Sequence, residues 1–271
     1  MKRQILFISI IAVIFLSFCS NNNTTEKMTP LVIDLQEKKP EFIIKSVFDN
    51  YQVNKELKTS WGLACVIETP EEKILFDTGG DSSVLLYNLK KMDIDPASID
   101  KVIISHEHWD HVGGLEEFLK KNSKVAVFIT VSFPSSIKDM ITDRGAEYEE
   151  ISAAQKISGG VYSTGELSGP PEEQSLILDT KKGMVVLTGC AHPGIVRIVE
   201  TAKKLMDRDS VYFVAGGFHH PPVSVVKEFR DLGVKKVGPS HCTGDMVREA
   251  FAEEYGDDYI EWGAGKIFRI E

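Results

Sequence analysis

The sequence predicts an α/β domain in which β-sheets are covered by helices. Three observations carry that expectation. Short β-type runs and amphipathic helical patterns are interspersed along most of the chain. No internal repeat and no Pro/Gly-rich linker divides it. The 271 residues are 42% hydrophobic and 26% charged, an ordinary globular composition. That suffices for one domain of about 240 residues with a large core.

The first β-type run is 42–48 (FIIKSVF). Runs 62–68 (GLACVIE) and 73–77 (KILFD) follow, and Thr69-Pro-Glu-Glu between them reads as the turn of a hairpin. Asp81 is a cap candidate for a helix over 82–92. Run 101–105 contains Val102-Ile103-Ile104, apolar throughout and therefore of the buried kind. A helix over 115–121, a strand over 124–130 and a helix over 134–142 come next. Strands at 175–179 and 183–188 lead to a helix over 194–206, where Ile195, Val196, Val199, Ala202, Leu205 and Met206 share a face. The remaining elements are a strand at 211–215, helices at 222–232 and 244–255, and a strand at 266–270.

The first segment reads as an address. Lys2 and Arg3 precede an apolar run from Ile5 to Phe18, then Cys19 and a polar stretch. These are the parts of an export signal, and the run is shorter than the roughly 20 residues a membrane-spanning helix needs. Leu16-Ser17-Phe18-Cys19 resembles a bacterial lipobox, although Phe18 is larger than the residue usual before the Cys. The resemblance implies an exported lipoprotein, held to a membrane through lipidated Cys19 on the periplasmic or cell-surface side. The expected organisation is a signal over 1–19, a tether and lead-in over 20–41, and one domain over 42–271. With 31 Lys+Arg against 40 Asp+Glu the net charge is -9, which argues against nucleic acid as a partner. Four cysteines are too few for a disulfide scaffold, and Cys65, Cys190 and Cys242 cannot all pair internally.

The informative stretch is Ser105-His-Glu-His-Trp-Asp-His-Val-Gly-Gly-Leu115. The chain has 7 histidines, and three of them lie between positions 106 and 111. Clustered imidazoles are costly if charged and need partners if neutral. A cation that takes their lone pairs removes the conflict. The donors follow the apolar run, so they sit on a loop at a strand end, and Gly113-Gly114 lets the backbone turn into a helix. Imidazole with carboxylate suits zinc first, and also iron or manganese. Four donors so close in sequence fit two divalent ions sharing the loop better than one tetrahedral ion. The competing reading is a polar helix start whose histidines only hydrogen-bond.

His106-x-His108-x-Asp110-His111 is similar to the hallmark of the metallo-β-lactamase fold. The apolar strand ending in Asp77-Thr-Gly79-Gly80 resembles that family's upstream hallmark. The resemblance implies an αββα sandwich, with two mixed β-sheets packed face to face and helices on the outer faces. Further segments resemble one branch of the family: Trp61-Gly62-Leu63, Tyr162-Ser-Thr-Gly165-Glu166, Glu173-Gln-Ser-Leu176, Thr188-Gly-Cys-Ala-His192-Pro-Gly194, Gly216-Gly-Phe-His219 and Ser240-His241-Cys-Thr-Gly244. That branch is named after the dihydropterin–ribofuranosylaminobenzene-phosphate synthase. The likeness runs from about residue 42 to the C-terminus.

The resemblance implies that His106 and His108 hold a first ion and that Asp110 and His111 hold a second. His241, in a loop after the apolar Val234–Val237 stretch, matches the second ion's distant ligand. The family's usual later histidine would fall in Pro171-Glu-Glu-Gln-Ser, where none stands, and Cys190 replaces a bridging Asp. His192 is the natural substitute ligand for the first ion, its alternative being a helix-capping imidazole. Cys190 is expected beside the ions; thiolate contact, plain packing and a disulfide with Cys242 all stay open. Cys65 reads as core. Asp77 is implied to order the metal loop from behind. His219 is a candidate for binding substrate or moving a proton, against a turn histidine made plausible by Pro221-Pro222, and His220 reads as surface. Trp109 either walls the pocket or packs.

Two close cations can share a water and lower its pKa toward neutral. The first expected function is therefore a metallohydrolase that cleaves an ester, amide or phosphoester bond of a small molecule, with Asp110 orienting the water. The branch name implies the alternative, a transferase joining a pterin to an aminobenzene ribofuranosyl phosphate. A phosphorylated or ring-containing substrate fits either. A non-catalytic metal- or solute-binding lipoprotein is a third reading. β-Lactam hydrolysis is a weaker fourth, because the surrounding motifs belong to another branch. Monomer and dimer both fit the hydrophobic faces.

Overall fold

The computed structural model describes residues 30–31 and 41–270. The export signal, Cys19 and most of the 20–41 tether lie outside the described residues. Among the described residues no helix is long and apolar enough to cross a membrane.

The strands in chain order are β1 (Phe42–Phe48), β2 (Ala64–Glu68), β3 (Lys73–Phe76), β4 (Lys101–Ile103), β5 (Ala126–Thr130), β6 (Glu147–Ile151), β7 (Ala153–Ser158), β8 (Val161–Gly165), β9 (Leu176–Thr180), β10 (Gly183–Thr188), β11 (Val211–Gly217), β12 (Val234–Ser240) and β13 (Ile267–Ile270). The helices are α1 (Ser82–Lys91), α2 (Trp109–Val112), α3 (Leu115–Leu119), α4 (Ser135–Asp143), α5 (Ile195–Met206), α6 (Val225–Asp231) and α7 (Asp245–Tyr255). One sheet runs β13-β1-β2-β3-β4-β5-β6 and the other β12-β11-β10-β9-β8-β7.

Both sheets are mixed, and the connections explain why. The β2–β3 hairpin closes where Thr69 N–H donates to the Glu72 carbonyl at 2.9 Å, which pairs the strands antiparallel with Cys65 opposite Phe76. From β3 to β6 every pairing is parallel, and a helical crossover separates each strand from the next. In the second sheet β10, β11 and β12 are parallel, crossed by α5 and α6.

Three apolar layers result. Phe42, Ile44, Phe76 and Ile103 of the first sheet meet Val161, Leu176, Val185 and Phe213 of the second in the central layer. Val84, Leu85, Leu89, Phe118 and Ile141 cover the outer face of the first sheet. Ile195, Ile198, Val199, Phe229 and Phe251 cover the second. This is the expected αββα sandwich. On α5 the buried stripe includes Ile198, which the sequence reading passed over, while Val196 is only half-buried.

Four strands carried no clear signal. The β6 stretch EYEEI is exposed over its first four residues, and β7 (AAQKIS) has no fully buried residue. β12 contains Lys235, Lys236 and Pro239. All three are sheet edges, where one side faces solvent and neither apolar alternation nor a full set of N–H donors is required. β8 (VYSTG) is an inner strand, buried throughout, whose Ser, Thr and Gly hide it.

The parallel segments place the site. The C-terminal ends of β3, β4, β10, β11 and β12 open at one edge of the sandwich. They lead directly into Asp77, Ser105-His106, Cys190-His192, His219 and His241. Ligand loops gather at such ends because parallel strands share a direction.

Candidate metal centre

Asp77 is buried in a left-handed backbone conformation (φ 59°) immediately after β3. Its carboxylate accepts from Ser105 N–H at 2.7 Å and Ser105 Oγ at 2.8 Å, and lies 2.7 Å from His111 Nδ1. Ser105 Oγ is in turn 2.9 Å from His106 Nδ1. With its hydroxyl proton on Asp77, Ser105 receives the His106 Nδ1 proton. One buried carboxylate thus sets the tautomer of two imidazoles and leaves their Nε2 atoms as lone-pair donors. Support of this kind orients metal-binding histidines.

Two groups of donor atoms form in front of that support. His106, His108 and His192 make one; Asp110, His111, Cys190 and His241 make the other. Within each group the donor atoms all lie within 4.8 Å of one another. The two are contiguous, with the His106 and His111 rings 4.2 Å apart between centroids. Cys190 also groups with His192 and His219. Its Sγ is 3.2 Å from His111 Nε2 and 3.3 Å from Cys242 Sγ, and both cysteines are free. The structure therefore sets the Cys190 thiol among the donors rather than behind them. Cys65 is buried in the inter-sheet core.

Two supporting residues escaped the sequence reading. Glu173, wholly buried, accepts from the backbone N–H of Cys190 (2.9 Å), Ala191 (2.8 Å) and His192 (2.9 Å) and lies 2.8 Å from His192 Nδ1. It stands in the segment where the family's histidine is missing, and orients His192 from behind. The available signals were its place in the Glu173-Gln-Ser-Leu176 segment and a pair of acidic residues, Glu172 and Glu173, at the head of an apolar strand. Asn50 Oδ1 is 2.9 Å from His241 Nδ1, and Asn50 Nδ2 donates to the His241 carbonyl at 3.3 Å. No local pattern marks Asn50, which is 191 positions away. Gln174 ties the two sheets together: its backbone N–H donates to the Ser105 carbonyl at 2.9 Å and its side chain to the Ile104 carbonyl at 2.9 Å.

The donor set suits a divalent cation. Burial first, and then the neighbouring His241, push the His111 imidazole down to about 3; burial and His111 hold His106 well below its ordinary value. Burial lifts Asp77 to about 7 against the pull of His106 and Ser105. Burial also works to raise Asp110 and Glu173, but the histidines around them prevail and hold both below the usual carboxylate range. Neutral His106 and His111 imidazoles with free lone pairs, beside the ionised Asp110 and Glu173, form an electron-rich pocket. The buried Nε2 atoms of His106 and His241 make no hydrogen bond, although His241 Nε2 is 3.2 Å from Asp110 Oδ2. Orphaned buried nitrogens are costly unless a cation takes their lone pairs. Imidazole, carboxylate and cysteine sulfur together suit zinc, and also iron.

The donors open onto a cavity of about 360 Å³ lined by Trp61, His108, Trp109, Asp110, Cys190, His192, His219, His220 and Cys242. His219 is exposed at its mouth, its ring 4.4 Å from that of His192. His220 is exposed but borders the cavity as well, and Trp109 walls it.

The family model described as the metallo-beta-lactamase superfamily matches residues 62–241. The chain is 30% identical to the 7,8-dihydropterin-6-methyl-4-(beta-D-ribofuranosyl)-aminobenzene-5'-phosphate synthase of Methanocaldococcus jannaschii, over 80% of this chain and 92% of that protein. A solved structure described as a metal-dependent hydrolase of the β-lactamase superfamily superposes with a TM-score of 0.72 at 24% identity, covering 85% of this chain and 99% of the other. A metallo-β-lactamase fold protein from Bacillus subtilis superposes with a TM-score of 0.64 at 12% identity, covering 85% and 100%. A fold shared along nearly the whole of those structures and a family match spanning both metal-binding hallmarks lead to one assignment: the chain belongs to the metallo-β-lactamase superfamily.

Proposed function

We propose that the chain is a metal-dependent transferase that joins two ring-bearing small molecules, an acceptor that bears a sugar phosphate and a donor that bears a phosphate leaving group. The similarity to the archaeal synthase carries this reading, because it extends over most of both chains. That relative's name describes a dihydropterin 6-methyl group united with an aminobenzene that bears a ribofuranosyl 5'-phosphate. Group transfer thereby moves ahead of hydrolysis, the first expectation from the metal-binding motif and the family resemblance.

His106, His108 and His192 would hold one divalent ion; Asp110, His111 and His241 would hold a second, with the Cys190 thiol in reach of the latter. When bound, such ions supply Lewis-acid charge that stabilises a departing anion. Asp77, Ser105, Glu173 and Asn50 keep the donor imidazoles in one tautomer and orientation. In the transfer, the acceptor's nucleophilic atom bonds to the donor's ring-attached methyl carbon, the C–O bond there breaks so that a phosphate departs with the bonding electron pair, and the acceptor loses a proton. His219 stands at the mouth, where a ring nitrogen can accept that proton. Hydrolysis is the second reading, favoured by the Asp110 carboxylate on the cavity wall, where it can orient a water.

The test offers the metal-loaded protein a dihydropterin whose 6-methyl carbon carries a phosphate leaving group, with and without an aminobenzene ribofuranosyl 5'-phosphate as acceptor. Transfer predicts a joined product by mass spectrometry and phosphate release that depends on the acceptor. Release at an equal rate without acceptor would establish hydrolysis instead. His108→Ala is expected to abolish either activity.

A further inference from the structure

Two indoles at the cavity mouth take no part in the chemistry above. Trp61 is 44% exposed and Trp109 61%, whereas Trp262 is fully buried. Large aromatic side chains gain most of their stability by burial, so two exposed indoles on one small cavity call for a partner. Other exposed apolar side chains, such as Met246 and Val131, do not line it.

Both indoles are held in place from behind. The Trp61 ring lies 5.0 Å from the His241 ring. Trp109 lies across Gly80, where a Cβ would sit 2.3 Å from Trp109 Cζ3 and 2.7 Å from the Trp61 carbonyl oxygen. A Cβ at Gly62 would meet the Asp110 carbonyl at 2.3 Å. Glycine at 62 and 80 lets the two tryptophan-bearing loops touch and the Trp109 ring lie on the backbone of Gly80. An apolar surface backed in this way, beside a polar cluster, suits a flat ligand with a polar substituent.

We propose that Trp61 and Trp109 form a ring-binding subsite for a fused, electron-poor nitrogen heterocycle of the pterin class; the choice of ring rests on the transfer reading above. The face of an indole is electron-rich, so it stacks best on a flat ring poor in electrons. A saturated sugar can meet an indole only through its C–H bonds and has no electron-poor π face. The subsite presents the ring's substituent to the donor cluster, because His108 and Cys190 line the same cavity.

The experiment titrates 6-(hydroxymethyl)pterin into the full-length, metal-loaded protein by calorimetry. Trp61→Leu and Trp109→Leu are each expected to weaken binding about five- to tenfold. Trp61→Phe and Trp109→Phe should recover most of the loss, with metal content unchanged throughout. Hydroxyl-radical footprinting of the unaltered protein gives a readout free of folding effects. The pterin should lower labelling of Trp61 and Trp109 several-fold and leave Met246 as it was. Equal affinity in the Leu variants, no pterin binding, tighter binding of 4-aminobenzoate than of the pterin, or unchanged labelling would each overturn the proposal. Ring binding without transfer would sink the functional reading and leave the subsite standing; transfer with no protection of the indoles would do the reverse.

Discussion

At the scale of single residues, the centre depends on groups that never face the cavity. Glu173 anchors three consecutive backbone N–H groups and one imidazole, so it sets the course of the Cys190–His192 turn as well as the His192 tautomer. Glu173→Gln keeps the volume but puts an NH2 group against donors. It is expected to lower metal affinity about 10- to 100-fold, measured by competition with a chromogenic chelator, while circular dichroism stays native. Unaltered affinity would remove Glu173 from the centre. Backbone strain is concentrated here too. Asp77, Ala191, His219, His220 and His241 all adopt positive φ; the other two such non-glycine residues described, Asp93 and Asp207, follow the ends of α1 and α5. Left-handed backbone costs these residues of order 1 kcal/mol each, and the network around Asp77 and Asn50 holds it in place.

At the scale of elements, α1 shows a local signal at work. Asp81 Oδ1 accepts from Ser83 N–H at 2.8 Å and Val84 N–H at 3.3 Å, closing the first turn. The Ser83 hydroxyl bond, chief among its partners, draws the Asp81 pKa below its ordinary value. A depressed folded-state pKa means the cap's contribution is complete above the unfolded value, about 3.9, and fades as pH falls through the folded one. Asp81→Ala is expected to cost about 1 kcal/mol at neutral pH. Urea denaturation should show the gap from the native chain closing at acid pH. A gap that persists undiminished at pH 2 would mean the carboxylate is not the cap. The edge strands β6, β7 and β12 make the complementary point: with one side open to solvent, their charged and proline residues are compatible with pairing yet invisible to a search for apolar alternation.

For the whole molecule, folding and metal binding are linked. The donors come from the ends of separate strands and from both sheets, so the centre exists only in the folded state. A ligand that binds only the folded state stabilises it; at free zinc one hundred times the dissociation constant the gain is about 2.7 kcal/mol. For a chain of this size that corresponds to a rise in Tm of about 5–10 °C on returning zinc to chelator-treated protein. Differential scanning fluorimetry measures it, and no shift, with metal demonstrably bound, would show that the donors assemble without folding.

Much was legible along the chain because some signals are local. The His106–His111 cluster, the Asp77-x-Gly79 turn, the hairpin at Thr69 and the periodicity of α5 each lie within a dozen residues. They announced sheets covered by helices with a metal-binding loop at a strand end, and the family resemblance they carry implied the sandwich. Resemblance to the metallo-β-lactamase family, read at the loops that follow apolar strands, also singled out His192, His219 and His241. Only the tertiary structure decided that these three converge with the loop, that the Cys190 thiol stands among the donors, and that Glu173 and Asn50 hold the imidazoles from behind. It also decided that Trp61 and Trp109 share one cavity. The physical reason is distance along the chain. A hydrogen bond between Asn50 and His241, or a glycine admitting a carbonyl from another loop, leaves no periodic trace; it exists once parallel strands bring their C-terminal ends to the same edge.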